Sequence, residues 1–316
     1  MLTRRSVMAG LVGLAASRPA FAQAFPSRTV TIVVPYPAGG PVDLVARLIA
    51  QTAATDLGQP IAVDNRGGAA GVIGSVVVKN AEPDGHTLIL GTNQSLLKNY
   101  PYDAVKDFAP VAGIADIQHV LVVRRELAAP DVRALIALAK KDPGALNYGS
   151  TGNGSASHLA AELFKTKAGV DLQHIPFRGA ALMTTELLAG RVDMSFATLP
   201  SVVSYIDAGV LRALGVASAT RAPRLPAVPT LAEAGLAGVE ADAWFALFAP
   251  AKTPSAAVDR LYRAVSVGLS QPDARDAIAK QGMTLALRLP VEVAAWLPGE
   301  VAKWAAVIKA AGVTVE

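Results

Sequence analysis

Short β-branched and aliphatic runs alternate with stretches of helical spacing along most of the chain. Residues 29–34 (TVTIVV) read as a strand stopped by Pro35. Residues 43–56 read as a helix, with Leu44, Val45, Leu48, Ile49 and Thr52 at helical spacing. Further strand signals fall at 61–63, 87–90, 120–123, 146–148, 173–175, 194–196 and 212–216. Helix signals fall at 71–81, 130–141, 157–167, 184–188 and 201–208, and the tail, 256–281 and 291–311, is mostly helical. Parallel strands need a long crossover, and a helix supplies it, so the alternation predicts an α/β fold of mostly parallel sheet with helices on both faces. A length of 316 residues suits two such units. Boundary signals near 122–126 and in the Pro-rich stretch ending at 244–254 divide the chain into 23–123 plus 245–316 and an inserted 124–244. A chain that crosses twice in this way makes a two-lobed clamp with its ligand cleft between the lobes.

The first 22 residues stand apart. Arg4 and Arg5 precede an apolar stretch, 7–16, and Ala20-Phe21-Ala22 forms an A-x-A cleavage site, the layout of an export leader. The apolar run is shorter than the ~20 residues of a membrane span; the competing reading is a retained amphipathic anchor. Cleavage after Ala22 starts the mature chain at Gln23 and sends it, by the Sec or Tat route, to a periplasm. Three of the 29 basic residues (Arg4, Arg5, Arg18) lie in the leader, so 26 remain against 25 acids and the net charge falls from +4 to +1. That balance and an aromatic content of 5% argue against a nucleic-acid partner. With no cysteine, disulfides, thiolate-held metals and thiol nucleophiles are excluded. Hydrophobic residues at 52% suffice for a large core.

Three loops follow strand signals and precede helices, where open α/β sheets bind ligands. The first is Tyr36-Pro37-Ala38-Gly39-Gly40-Pro41-Val42-Asp43. Pro41 suits a first helical position, Gly39 and Gly40 allow close backbone approach, and the free amides of a helix start attract an anion. Asp43 suits the capping of that helix start and the holding of water. The second loop, Thr151-Gly152-Asn153-Gly154-Ser155-Ala156-Ser157, is dense in hydroxyls and amides, and Ser155 and Ser157 are candidate carboxylate contacts. It lacks the third glycine of a dinucleotide fingerprint. The third loop holds Thr92 and Asn93. Tyr36, Phe177 and Phe196 are candidate apolar walls. Each loop also reads as an ordinary turn, and each aromatic as plain core.

Signals for catalysis are sparse. The histidines (His86, His119, His158, His174) form no metal-binding spacing, and no G-x-S-x-G elbow is present. Ser155 or Ser157 beside His158 leaves a serine-dependent hydrolase as an alternative, although no orienting acid is identifiable.

The ordered landmarks PYPAGGPVD (35–43), VDNRGGAAGVIG (63–74), EPDGHTLILGTN (82–93), YPYDAVKDFAPV (100–111), NYGSTGNGSASHL (147–159), PFRGAALMTTELLAGRVDMSF (176–196) and WFALFAPAKTP (244–254) together resemble the solute-binding proteins of tripartite tricarboxylate transporters, the TctC or Bug family. The resemblance implies a type II-like periplasmic-binding-protein fold, with lobes of mostly parallel sheet joined by a two-strand hinge. It implies a small carboxylate ligand, no cofactor or metal, and a monomer that docks on a membrane permease of one large and one small subunit. Some relatives serve sensory systems instead. The resemblance assigns carboxylate contacts to the loops at 35–43 and 151–157, partly through water, and adds Arg178 and Gly179 of the PFRG motif. The chain departs from the family pattern at Ala180 (usually Gly), Ala197 (often Asp) and Thr198 (often Asn). Ala197 borders the expected site, and the missing acid points to a ligand without an amino group.

Overall fold

The computed structural model describes residues 25–92 and 101–311. The leader and Asn93 lie outside the described residues. The first unit opens with β1 (Val30–Val34), whose valines and isoleucine are buried while Thr31 is half-buried. Helix α1 (Pro41–Leu57) begins after Gly40 with proline at its first position and ends at Gly58 in the left-handed conformation. β2 (Ile61–Asn65), a single 3-10 turn (Ala69–Gly71), α2 (Val72–Lys79) and β3 (Thr87–Thr92) complete two β-α-β passes. β4 (Phe108–Ile117) then leads into β5 (His119–Arg124).

The second unit continues with α3 (Val132–Lys141), β6 (Asn147–Ser150), α4 (Ala156–Ala168), β7 (Gln173–Pro176), α5 (Ala180–Leu188), β8 (Met194–Thr198), α6 (Leu199–Asp207) and β9 (Leu211–Val216). The chain returns through β10 (Ala243–Pro250), α7 (Ser255–Ser270), α8 (Pro272–Lys280), β11 (Met283–Arg288) and α9 (Pro290–Ala311). Two sheets result, in the orders β11-β4-β10-β3-β1-β2 and β7-β6-β8-β5-β9.

Both sheets are mixed, where the sequence predicts mostly parallel ones. β1 runs parallel to β2 and β3, and β6 parallel to β7 and β8. β10 is antiparallel to β3 and β4, β11 to β4, and β5 to β8 and β9. The antiparallel pairs involve the strands that carry the chain between units, because no crossover helix turns them back into the parallel direction. The passage from β4 to β5 falls at Gln118, several residues before the 123/124 division read from the sequence, and all of β5 pairs within the second sheet.

The second passage, after β9, is tied to the first. The Ala217 amide donates to the His119 carbonyl (2.8 Å), and the Ala241 amide donates to the Ala217 carbonyl (2.8 Å). His119 is fully buried and its Nδ1 lies 2.7 Å from the Ala241 carbonyl. Burial drives its pKa down to about 4, so at neutral pH the ring is uncharged and Nδ1–H donates.

Apolar layers cover both faces of each sheet. In the first unit, α1 and α7 pack Val45, Ile49 and Leu261 against Ile32 and Leu247. The opposite face packs Val78, Phe248, Val293 and Leu297. In the second unit, Leu159 and Phe164 of α4 meet Leu121 and Phe196, while Met183 and Val202 cover Val122 from the other side. α9 joins the two units: Val293 and Leu297 belong to the first, Trp304 and Ile308 to the second. Between these anchors Glu300 accepts from the indole N–H of Trp244 (3.0 Å) and of Trp304 (3.3 Å), and Trp296 meets Trp244 edge-on at 4.7 Å.

Candidate functional site

A cavity of about 70 Å³ lies between the units, room for several waters or part of a small ligand. The first unit lines it with Tyr36, Pro37, Gly40, Pro41, Val42, Thr92, Ala243 and Phe245; the second supplies Thr151, Arg178, Gly179, Ala180, Ala181 and Thr198. The units approach closely here: a Cβ on Gly179 would stand 3.5 Å from Pro37 Cδ.

Helix starts from both units point at this space. α1 begins after Gly40 and α5 after Gly179, neither with a side-chain cap. The first amides of each helix have no acceptor within the helix and carry the positive end of its dipole. Gly179 has φ +101° and ψ 172°, a conformation open in practice to glycine alone. Arg178 is exposed and, among the described residues, is the one charged side chain lining the cavity. Among the described residues it makes no ion pair or hydrogen bond. Tyr36 Oη and Thr92 Oγ1 pair at 3.1 Å on the first unit's wall. Among the described residues no carboxylate lines the cavity.

Asp43 stands behind the first loop. Its Oδ2 accepts from the Gly39 amide (3.0 Å) and Arg47 Nε (2.9 Å), and its Oδ1 accepts from Asn65 Nδ2 (3.1 Å). Asn65 Nδ2 also donates to the Tyr36 carbonyl (3.1 Å), which clamps the loop to β2. Burial pushes the Asp43 carboxyl up, but the bonds from Arg47, Gly39 and Asn65 outweigh it and hold the pKa below the ordinary value. Asp43 therefore shapes the loop as an anion with its oxygens engaged by the protein.

The second loop is built in the same manner. Ser155 caps α4 by accepting from the His158 amide (3.3 Å). Ser157 Oγ accepts from the Thr151 amide (2.9 Å) and lies 2.9 Å from Ser155 Oγ. Both serines are buried, and both hydroxyls hold the loop rather than line the cavity. His158 Nδ1 accepts from the Gly154 amide (3.0 Å) and so is not available as a base for either serine. That geometry opposes the hydrolase alternative.

Of the residues singled out in the sequence, Tyr36, Gly40, Thr92, Thr151, Arg178 and Gly179 line this cavity. Gly39 lines the adjoining cleft with Ala181 and Thr184. Ala38 is exposed outside both; Gly152 and Gly154 turn the second loop at φ +135° and +70°. Ala197 points into the core with Met183 and Val202 instead of the cavity. Phe177 and Phe196 likewise pack into the second unit, and Phe245 is the wall the sequence reading missed. Ala180 and Ala181 were missed as first-turn positions because the helix signal began only at 184. Gly179 ahead of an apolar run was the available clue.

Comparison with known proteins fits this geometry. Residues 45–313 match the model of the tripartite tricarboxylate transporter family receptor, TctC. A protein from the tcbD-tcbE intergenic region of Pseudomonas sp. strain P51 is 38% identical, with 95% of this chain and 92% of that protein aligned. Rpa4515 of R. palustris, solved with adipate, superposes with a TM-score of 0.87 at 36% identity, covering 92% of this chain and 99% of that one. MatC of Rhodopseudomonas palustris, solved with malate, gives 0.85 at 36% identity over 90% and 100% of the two chains. Family match, shared architecture and a donor-rich cleft agree: the chain belongs to the TctC/Bug family of periplasmic, non-catalytic solute-binding proteins, receptors of tripartite tricarboxylate transporters.

Proposed function

We propose that this protein captures a small carboxylate lacking an ammonium group and delivers it to a permease of one large and one small subunit. The observation that carries the reading is the cavity's charge pattern. Arg178 and the starts of α1 and α5, neither with a side-chain cap, offer hydrogen-bond donors from both units, and among the described residues no acid lines the cavity to pair an amine. Tyr36, Thr92, Thr151, Arg178 and Gly179 are the ligand-facing set. Asp43, Ser155 and Ser157 hold the two loops that present it. Water in the cavity carries part of the recognition. The two units act as lobes, 25–117 with 243–311 and 119–216, and closing on ligand shifts an equilibrium between open and closed forms. A leader of 22 residues is removed on export, and the mature protein works as a monomer.

The test is thermal unfolding of residues 23–316 with adipate, malate, benzoate and glutamate as probes. A ligand at 100 times its Kd adds about 2.7 kcal/mol of stability. A saturable rise for one of the plain acids that exceeds the rise for glutamate supports the reading. A larger rise for glutamate, or none with any acid after unfolding, dialysis and refolding to remove bound ligand, overturns it.

A further inference from the structure

His158 lies outside the cavity, yet it is built into the ligand loop. The Gly154 amide donates to its Nδ1 at 3.0 Å, so this nitrogen carries no proton. A face of the ring stacks on His174, with centroids 3.9 Å apart and planes inclined by 15°. His174 stacks in turn on Tyr148 at 4.8 Å, and its Nε2 sits 2.6 Å from Ser150 Oγ. Ser150 Oγ accepts from the Gly152 amide (3.2 Å). Two amides of the loop between β6 and α4 thus rest, directly or through one hydroxyl, on a stacked imidazole pair.

The charged groups facing the pair are Glu162 and Lys165 of α4. Glu162 Oε1 lies 4.0 Å from His158 Nε2, but it already accepts from Tyr148 Oη (2.6 Å) and Lys165 Nζ (2.9 Å). The Tyr148 hydroxyl is a neutral donor at neutral pH, and burial and Glu162 both push its pKa up. A proton on His158 Nδ1 would face the Gly154 N–H, donor against donor, and would place a cation against His174. Burial pushes both imidazoles down, His174 to about 4, and the Glu162 charge does not offset it.

We propose that His158 is a positioning residue for ligand capture: its bare Nδ1 holds the Gly154 amide, one of the tethers of the 151–157 loop, and acidification releases that tether. The consequence for ligand retention rests on the proposed role of Thr151 in the cavity. The hydrogen bond itself does not, so it is tested without ligand.

The experiment follows hydrogen exchange at the Gly154 amide by NMR in residues 23–316, corrected for the intrinsic pH dependence of exchange. Asn places a non-titrating acceptor close to the Nδ1 position; Phe removes the acceptor. In the wild type, protection should fall at least tenfold between pH 7.5 and 4.5. In His158→Asn it should persist across that range, and in His158→Phe it should be absent throughout. If the wild-type amide is equally protected at both pH values, or if His158→Asn loses protection in parallel with the wild type, the inference is overturned. The wild type and the Asn variant decide the matter even where His158→Phe does not fold. With adipate or benzoate as the probe, whichever shifts the melting temperature, the acid-dependent loss of affinity should be reduced in His158→Asn.

Discussion

Arg178 lines the cavity with, among the described residues, no ion pair to give up, so its replacement removes attraction for an anion without stranding a partner. A hydrogen bond to a charged group contributes about 1.5–3 kcal/mol. Arg178→Gln is therefore expected to weaken binding of the acid that stabilises the protein by about 10- to 100-fold, measured by calorimetry. Unfolding without ligand should change by less than about 0.5 kcal/mol. Asp43 behaves oppositely, because its removal strands the Gly39 amide, Asn65 and Arg47. Asp43→Ala should cost about 2 kcal/mol in urea unfolding at pH 7. Its folded pKa lies below 3.8, so the wild type's advantage is present above that value and shrinks as the pH falls through the folded one. The same residues show where sequence reading stops. Hydroxyls in a Gly-rich loop look alike whether they bind a ligand or cap a helix, and only the placement of Ser155 and Ser157 behind the loop separates the two.

Helix starts were legible where residue chemistry marks them. Pro41 after two glycines announced α1, and its first residues do line the cavity. α5 carries no such mark, because Gly179 caps without a side chain and Ala180 and Ala181 are mute. Its role still exposes it to test: Gly179→Ala forces a side chain into a glycine conformation at a cost of about 1–3 kcal/mol. A loss of that size in urea unfolding is expected, with a fall in ligand affinity because the α5 amides are displaced. Among the strands, those of the β-α-β passes were read as short runs alternating with helical spacing, β1 from its β-branched residues. β4, β10 and β11 were not. β4 contains Pro110 and Gly113, both poor strand formers, and each pairs with β10 beside a register shift that accommodates it. β10 is a run of eight buried residues with no period to read. These unread strands are antiparallel within the first sheet, and with β5 they explain why the expectation of mostly parallel sheets was corrected.

Three connections join the two units: the passage at Gln118, the return before β10, and α9 laid across both cores. α9 bounds how far the units can part while Trp304 stays seated. Trp304→Ala should cost about 3–5 kcal/mol, a buried-aromatic deletion, read from the urea midpoint. The passages add a dependence on pH. His119 has a folded pKa of about 4 against 6.5 unfolded, so its burial disfavours the protonated form. Its contribution is full above pH 6.5, is lost as the pH falls from 6.5 towards 4, and levels off below. A urea series across that range should show the loss, and His119→Gln should flatten it. The chain has three tryptophans, and Trp244, Trp296 and Trp304 all meet at this junction, two of them bonded to Glu300. Every tryptophan of the chain thus stands where α9 spans the two units. Ultraviolet emission, with no dye and no engineered label, therefore reports on this junction, and if the units close on ligand as proposed, a cuvette suffices to follow the capture of cargo.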